Sequence, residues 1–144
     1  MFVIAVTGWR HHADGGFIRA VMDQYQGVFL GMGEVMHVRH GDAPGADTIV
    51  DGWCISRGVS HHRFVADWDR FGDLAGPNRN REMLLGQGDP IAQPTQLLLG
   101  FPRTSTPIGR TRVPGSGTWG CLIMAAEELR IEVRVPAYVP TGQR

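Results

Sequence analysis

The sequence contains no lysine: all 14 of its basic residues are arginines. This absence excludes a phosphate-binding loop that depends on a lysine, and it excludes catalysis through a lysine Schiff base. An anion bound by this chain must therefore be held by arginine, histidine, hydroxyl groups or backbone amides.

The sequence also has only two cysteines, no net charge and no long apolar run. The two cysteines, Cys54 and Cys121, form no CxxC or zinc-binding pattern, and the histidine pairs at 11–12 and 61–62 lack metal-ligand spacing, so we predict no metal. No apolar run has the length of a membrane span, and we expect a cytoplasmic protein without a membrane partner. The formal net charge of zero argues against bulk electrostatic capture of nucleic acid.

Apolar runs and helical patterns alternate along the 144 residues. Short apolar runs predict strands at 2–6, 35–38, 61–66, 96–99 and 131–135. Helical spacing predicts helices between them, at about 16–30, 46–57, 77–86 and 119–129. This order predicts an α/β fold, a Rossmann-like three-layer sandwich with a five-stranded, mainly parallel sheet. We expect one domain over residues 1–137 and a C-terminal tail over 138–144.

Four conspicuous loops, at 7–12, 40–45, 67–76 and 100–118, each follow a predicted strand. The carboxyl ends of parallel strands meet at one edge of the sheet, where ligands bind in such folds. The loops and the first turn of the helix at Pro77 carry many cations and a few carboxylates, namely Arg10, His11, His12, His40, Arg70, Arg79, Arg103, Arg110, Arg112, Asp42, Asp67, Asp69 and Asp73. This predicts a locally cationic crevice for a phosphorylated ligand with hydroxyl groups; the alternative is that charge simply collects in loops.

The last of these loops ends in Gly115-Ser116-Gly117-Thr118, just before a predicted helix. Glycines let backbone N–H groups approach a phosphate closely, and the positive end of the helix dipole favours an anion there. An ordinary helix-initiating turn is the alternative interpretation of the same residues.

Five ordered blocks resemble a known family: Val6–Arg10, His40–Asp47, Ala66–Trp68, Ala75–Asn80 and Gly115–Thr118. They are similar to the signature blocks of YspA-like members of the SLOG superfamily, which is related to the Lonely Guy and Smf/DprA proteins. The resemblance implies a Rossmann-like fold that binds nucleotides or nucleotide-derived ligands such as ADP-ribose or NAD-related molecules, in a bacterial or phage protein. It also implies a homo-oligomer, a dimer first, for which Trp53, Met83 and Trp119 are candidate surface residues, with core packing as the alternative.

The blocks assign specific roles. The N–H of Gly8 is expected to meet a ligand phosphate or ribose, and Asp47 a ribose hydroxyl, although an acid in a first helical turn also favours the helix dipole. Arg79 is the predicted phosphate clamp. Trp68 offers a stacking surface or packs at an edge. The full set of predicted ligand-binding residues is Thr7, Gly8, Arg10, Gly41, Asp42, Gly45, Asp47, Asp67, Trp68, Arg79, Asn80, Gly115, Ser116, Gly117 and Thr118.

One departure from the family bears on activity. Lonely Guy phosphoribohydrolases carry a PGGxGTxxE motif, whereas here the segment is one residue shorter and Cys121 stands where that glutamate would be. We therefore predict a binding protein, a sensor or sequestering module, that requires no cofactor. The alternative is a nucleotide N-glycosidase using Arg79 with Asp67 or Asp73. Binding of single-stranded DNA, by analogy with DprA, ranks last.

Overall fold

The structure is a computed structural model and describes residues 1–103 and 117–140. Its centre is a sheet of five parallel strands in the order β3-β2-β1-β4-β5. The strands are β1 (Phe2–Gly8), β2 (Met36–His40), β3 (Ser60–Arg63), β4 (Leu97–Phe101) and β5 (Glu132–Arg134). The predicted α/β fold is confirmed.

Helices cover both faces of this sheet. They are α1 (Gly15–Gly31), α2 (Ala46–Arg57), the short α3 (Trp68–Phe71), α4 (Ala75–Leu85) and α5 (Gly117–Ile123). A 3₁₀ turn, Gly72–Leu74, joins α3 to α4, and a π-helical turn, Met124–Glu128, continues α5. Ile4 and Val6 pack with α1 and α2 in one core, whereas Ala5 packs with α4 and α5 in the other. Because successive side chains of a strand point to opposite faces of the sheet, the apolar run of β1 contributes to both cores. The result is a fold of three layers.

The strand order creates a switch point between β1 and β4. After β1 the chain builds outward through β2 and β3, and it then crosses to the other side of β1 to form β4 and β5. A crevice opens outside the carboxyl ends of two strands where the direction of winding reverses. The loops after β1, β2, β3 and β4 all begin at this edge.

Strand β2 is fully buried although its sequence, MHVRH, is polar. Arg39, with no exposed surface, donates to Asp89 Oδ2 at 2.7 Å and to the Ile91 carbonyl at 2.7 Å. His37 Nε2 lies 2.7 Å from the same Asp89 oxygen. Burial raises the pKa of Asp89, but hydrogen bonds from Arg39, the Ile91 N–H and His37 outweigh it, so the pKa is lowered. This network holds the segment before β4 against the sheet.

Several element boundaries differ from the sequence prediction, and those of β3 and α4 bear on the site. Strand β3 ends at Arg63 rather than at residue 66. Helix α4 begins at Ala75, directly after the 3₁₀ turn, so Pro77 lies in its first turn as expected but Arg79 and Asn80 lie in its second. The prediction of Arg79 at the helix N-terminus is wrong, because the preceding turns already bring the chain into a helical path before Pro77. Among the described residues, no helix has the length and apolar character needed to cross a membrane.

Candidate functional site

The loop between β2 and α2 is held by a buried histidine. His40 Nδ1 accepts the N–H of Asp42 at 3.0 Å, so the ring proton is on Nε2, which lies 2.8 Å from Asp51 Oδ1. Asp42 takes a positive φ of 54°, which is uncommon for a residue with a side chain. The histidine thus fixes the course of the chain immediately before the predicted ligand-binding turn.

Asp47 lies under this turn and is almost fully buried. Its Oδ2 accepts the N–H groups of Gly41 at 3.0 Å and Ala43 at 3.3 Å. Its Oδ1 is buried and has no hydrogen-bond partner among the described residues. Burial raises the pKa of Asp47 despite the opposing effects of His40, the two backbone N–H groups and Arg79. A buried oxygen without a partner costs about 1–3 kcal/mol, a cost that a ligand hydroxyl would offset.

Arg79 reaches across from α4 to the same turn. Its Nη1 donates to the Gly41 carbonyl, and its Nε donates to Asn80 Oδ1 at 2.9 Å. Its Nη2 has no hydrogen-bond partner in the part of the chain that the structure describes. The guanidinium charge partly offsets the rise that burial causes in the pKa values of Asp47 and Cys121. The half-buried side chain is therefore oriented, with one donor nitrogen left for an anion.

Gly8 and Gly45 allow α2 to approach the end of β1 closely. A Cβ on Gly8 would lie 2.3 Å from the Cβ of Ala46. Gly45 has a φ of +80°, and a Cβ there would lie 2.5 Å from the Trp9 carbonyl oxygen. That oxygen accepts the Ala46 N–H at 3.4 Å. In the structure these two glycines have packing roles, whatever they contribute to a ligand.

Cys121 occupies the α5 side of the crevice near Thr7. Burial raises the pKa of its thiol to about 12, although a hydrogen bond with Thr7 and the charge of Arg79 act in the opposite direction. The thiol is neutral at physiological pH and has no exposed surface. It is not an activated nucleophile, and it cannot perform the proton transfer that a carboxylate would perform at this position.

Other predicted residues lie apart from this cluster. Asp67 caps α3 by accepting the Arg70 N–H at 3.1 Å, and the exposed Trp68 ring lies over Gly76. Asp73 is exposed, and no hydrogen bond or ion pair between described residues joins it or Asp67 to Arg79. Arg10 and Gly117 are exposed and Thr118 is buried, whereas Gly115, Ser116, Arg110 and Arg112 lie outside the described residues.

Trp53, Met83 and Trp119, the candidate dimer residues, are 1%, 1% and 9% exposed. They belong to the cores, as the alternative interpretation held. Three or more His, Cys, Asp or Glu side chains arranged to hold a metal are not found over residues 1–103 and 117–140.

A cavity of about 450 Å³ lies beside the loop after β1, and the sequence did not predict it. We call it the aromatic pocket; its lining residues are Trp9, His11, His12, Ala13, Asp14 and Tyr138. Tyr138 falls in the predicted tail, yet its hydroxyl donates to Asp14 Oδ2 at 2.7 Å and its ring packs on Phe17 at 4.9 Å. The cluster of aromatic residues after β1 was a signal for this pocket, but nothing near Tyr138 in the sequence indicates its partner.

Residues 2–71 of the chain match the model of a known protein family, described as the YspA, cpYpsA-related SLOG family. No match is found among curated proteins or among solved structures. The matched part runs from β1 to α3 and contains the Gly41–Gly45 loop, Asp47 and Trp9. The family match is consistent with binding of a nucleotide-related ligand.

Proposed function

Because the chain is a YspA-like member of the SLOG superfamily, we propose that it binds a phosphorylated nucleotide-derived ligand, ADP-ribose or an NAD-related molecule, as a sensor or sequestering protein. The site is the crevice at the carboxyl edge of the sheet. The observation that carries the proposal is the pairing of Arg79 and Asp47 over one turn, with a donor nitrogen and an acceptor oxygen that have no partner within residues 1–103 and 117–140.

These two groups match the two polar parts of such a ligand. Arg79 Nη2 would donate to a phosphate oxygen, and the fixed guanidinium would lose little side-chain entropy in doing so. Asp47 Oδ1 would accept a ribose hydroxyl in a buried setting, where a hydrogen bond to a charged group contributes about 1.5–3 kcal/mol. Together they favour a ligand in which a hydroxyl and a phosphate lie a few ångströms apart.

Binding without turnover is the function that the chemistry of the crevice supports best. The neutral Cys121 replaces the glutamate of the hydrolytic motif, and among the described residues no hydrogen bond or ion pair joins Asp67 or Asp73 to Arg79. One observation favours the alternative, cleavage of an N-glycosidic bond: Asp47 is itself a buried carboxyl group with a raised pKa beside Arg79.

The test is incubation of the purified protein with NAD, ADP-ribose, cyclic ADP-ribose and AMP, followed by chromatography and thermal denaturation. We expect unchanged ligand and a raised melting temperature for at least one compound. The Arg79→Gln variant should lose that shift, whereas Arg81→Gln should keep it, because Arg81 on the same helix is exposed and forms an exposed ion pair with Glu128. Released base or nicotinamide would instead identify a hydrolase, and the absence of any shift would refute nucleotide binding.

A further inference from the structure

We propose that the aromatic pocket is a second compartment of the same crevice and holds the planar heteroaromatic base of the ligand. This inference rests on the proposed function, since it takes the phosphate and ribose to lie at Arg79 and Asp47. The inference adds that the ligand must carry a base. A sugar phosphate without a base would bind at Arg79 and Asp47 but would leave the aromatic pocket empty.

The lining of the pocket is the first argument. Four of its six lining residues carry rings, the indole of Trp9, the imidazoles of His11 and His12, and the phenol of Tyr138. The Trp9 and His11 rings meet edge to face at 5.5 Å, and the His12 and Tyr138 rings meet at 5.9 Å. Its volume of about 450 Å³ lies within the range of small-molecule sites. Aromatic walls of this kind bind the flat face of a base.

The position of Trp9 connects the two compartments. Its N–H donates to the Phe101 carbonyl at the end of β4, at 2.8 Å, so the residue lies at the switch point of the sheet. Its carbonyl accepts the N–H of Ala46, the residue before Asp47. A ligand that bonds Asp47 with its ribose therefore has Trp9 as its neighbour across the edge of the sheet.

The walls of the pocket are fixed and largely uncharged. His12 is buried, and burial lowers its pKa against the raising effect of Asp14, so its ring is neutral at physiological pH. Its Nδ1 accepts the Asp14 N–H at 3.3 Å, and Asp14 in turn caps α1 by accepting the Phe17 N–H at 3.0 Å. The long-range bond from Tyr138 to Asp14 closes the far side. Such a wall needs little rearrangement to receive a ring.

Trp9 already accommodates a planar group. The Arg103 guanidinium lies over its ring, with a distance of 5.6 Å from Cζ to the ring centroid. A stacked group beside Trp9 is thus compatible with the surrounding chain, and Arg103 stays close enough to add positive charge for a phosphorylated ligand.

The experiment compares AMP and ADP-ribose, which carry a base, with ribose 5-phosphate, which does not, by isothermal titration calorimetry. We expect the better of the two base-carrying ligands to bind at least about tenfold more tightly than ribose 5-phosphate. Trp9→Ala should remove that preference and change the affinity for ribose 5-phosphate by less than about twofold. Trp9→Phe should restore most of it, and Phe71→Ala, which removes an exposed ring from α3, should leave it intact.

A fluorescence measurement tests the same inference without replacing the half-buried Trp9. In Trp68→Phe, the other tryptophans are Trp9, which is half-buried, and the buried Trp53 and Trp119, so quenching of fluorescence by the base should report on Trp9. Equal affinity for all three compounds, or an unquenched Trp9 with bound AMP or ADP-ribose, would overturn the aromatic pocket and leave the proposed function standing. Binding of none of the three would refute the proposed function itself.

Discussion

At the scale of single residues, the two oxygens of Asp47 have different roles. Oδ2 accepts the backbone N–H groups of Gly41 and Ala43, whereas Oδ1 is buried and has no partner among the described residues. Native proteins seldom leave a buried carboxylate oxygen without a hydrogen bond. This arrangement supports the proposal that a ligand supplies the last hydrogen bond.

Replacing Asp47 with asparagine should separate these roles. The amide oxygen can still accept the two backbone N–H groups, so we expect the free energy of unfolding in urea to change by less than about 1 kcal/mol. The amide nitrogen cannot accept a ribose hydroxyl, so affinity for the nucleotide that gives the thermal shift should fall at least about tenfold. Asp67→Asn, at an exposed cap, is the control. Unchanged affinity in Asp47→Asn would make Asp47 purely structural.

At the scale of elements, the first turn of α2 is seated directly on the end of β1. Ala46 approaches Gly8 more closely than any side chain at position 8 would permit, and its N–H is bonded to the Trp9 carbonyl. One N–H group in the first turn of α2, that of Ala46, is therefore already bonded within the protein. The contribution of this turn to the site is to hold Asp47 and the Gly41–Gly45 loop in place rather than to offer all of its N–H groups to an anion.

Gly8→Ala tests this packing. The added methyl group would overlap the Ala46 side chain, and we expect a loss of about 1–3 kcal/mol in the free energy of unfolding together with weaker ligand binding. Gly52→Ala in α2 is a matched control, since a Cβ there has no neighbour within 4 Å and the alanine should stabilise the helix by about 0.5–1 kcal/mol. Urea denaturation of the two variants measures both changes in the free energy of unfolding. Equal stability of the two variants would show that α2 can shift without cost.

At the scale of the whole molecule, 14 arginines and 14 acidic residues balance, and buried polar networks take up part of this charge. Asp51 is central to one of them, because it accepts hydrogen bonds from the Arg63 side chain at 2.9 and 2.7 Å and from the buried His40. Arg63 has the largest effect on the pKa of Asp51; burial opposes it and His40 reinforces it, and the pKa falls to about 2. The network ties β2 and α2 to the edge strand β3.

This shift predicts how stability depends on pH. The pKa of Asp51 is lower in the folded chain than its ordinary value of 3.8, so its contribution is complete above that value and is lost as the pH falls towards about 2. Asp89, whose pKa is also lowered, acts in the same direction. We expect the melting temperature to drop between pH 4 and pH 2, and to drop less over that interval in Asp51→Asn. If the melting temperature of wild type and variant depended on pH in the same way, Asp51 would not contribute to the loss of stability in acid.

The sequence by itself determined the order of elements, the parallel sheet and the edge to which the predicted ligand-binding residues belong. The order and the sheet follow from local periodicity, because short apolar runs such as Phe2–Val6 alternate with segments of helical spacing, and this alternation permits few topologies. The same reasoning places Gly41, Asp47 and Arg79 at one edge of the sheet. It does not give the start of α4, because consecutive turns leave no clear boundary in the sequence.

Only the tertiary structure decided which atoms meet. Arg79 and Gly41 are 38 residues apart in the chain, and Tyr138 and Asp14 are 124 apart. The approach of Ala46 to Gly8, the unpartnered oxygen of Asp47 and the aromatic pocket are likewise consequences of how packed layers fit. No local pattern records such contacts, because they depend on side-chain volume and direction across the sheet rather than on the period of the chain.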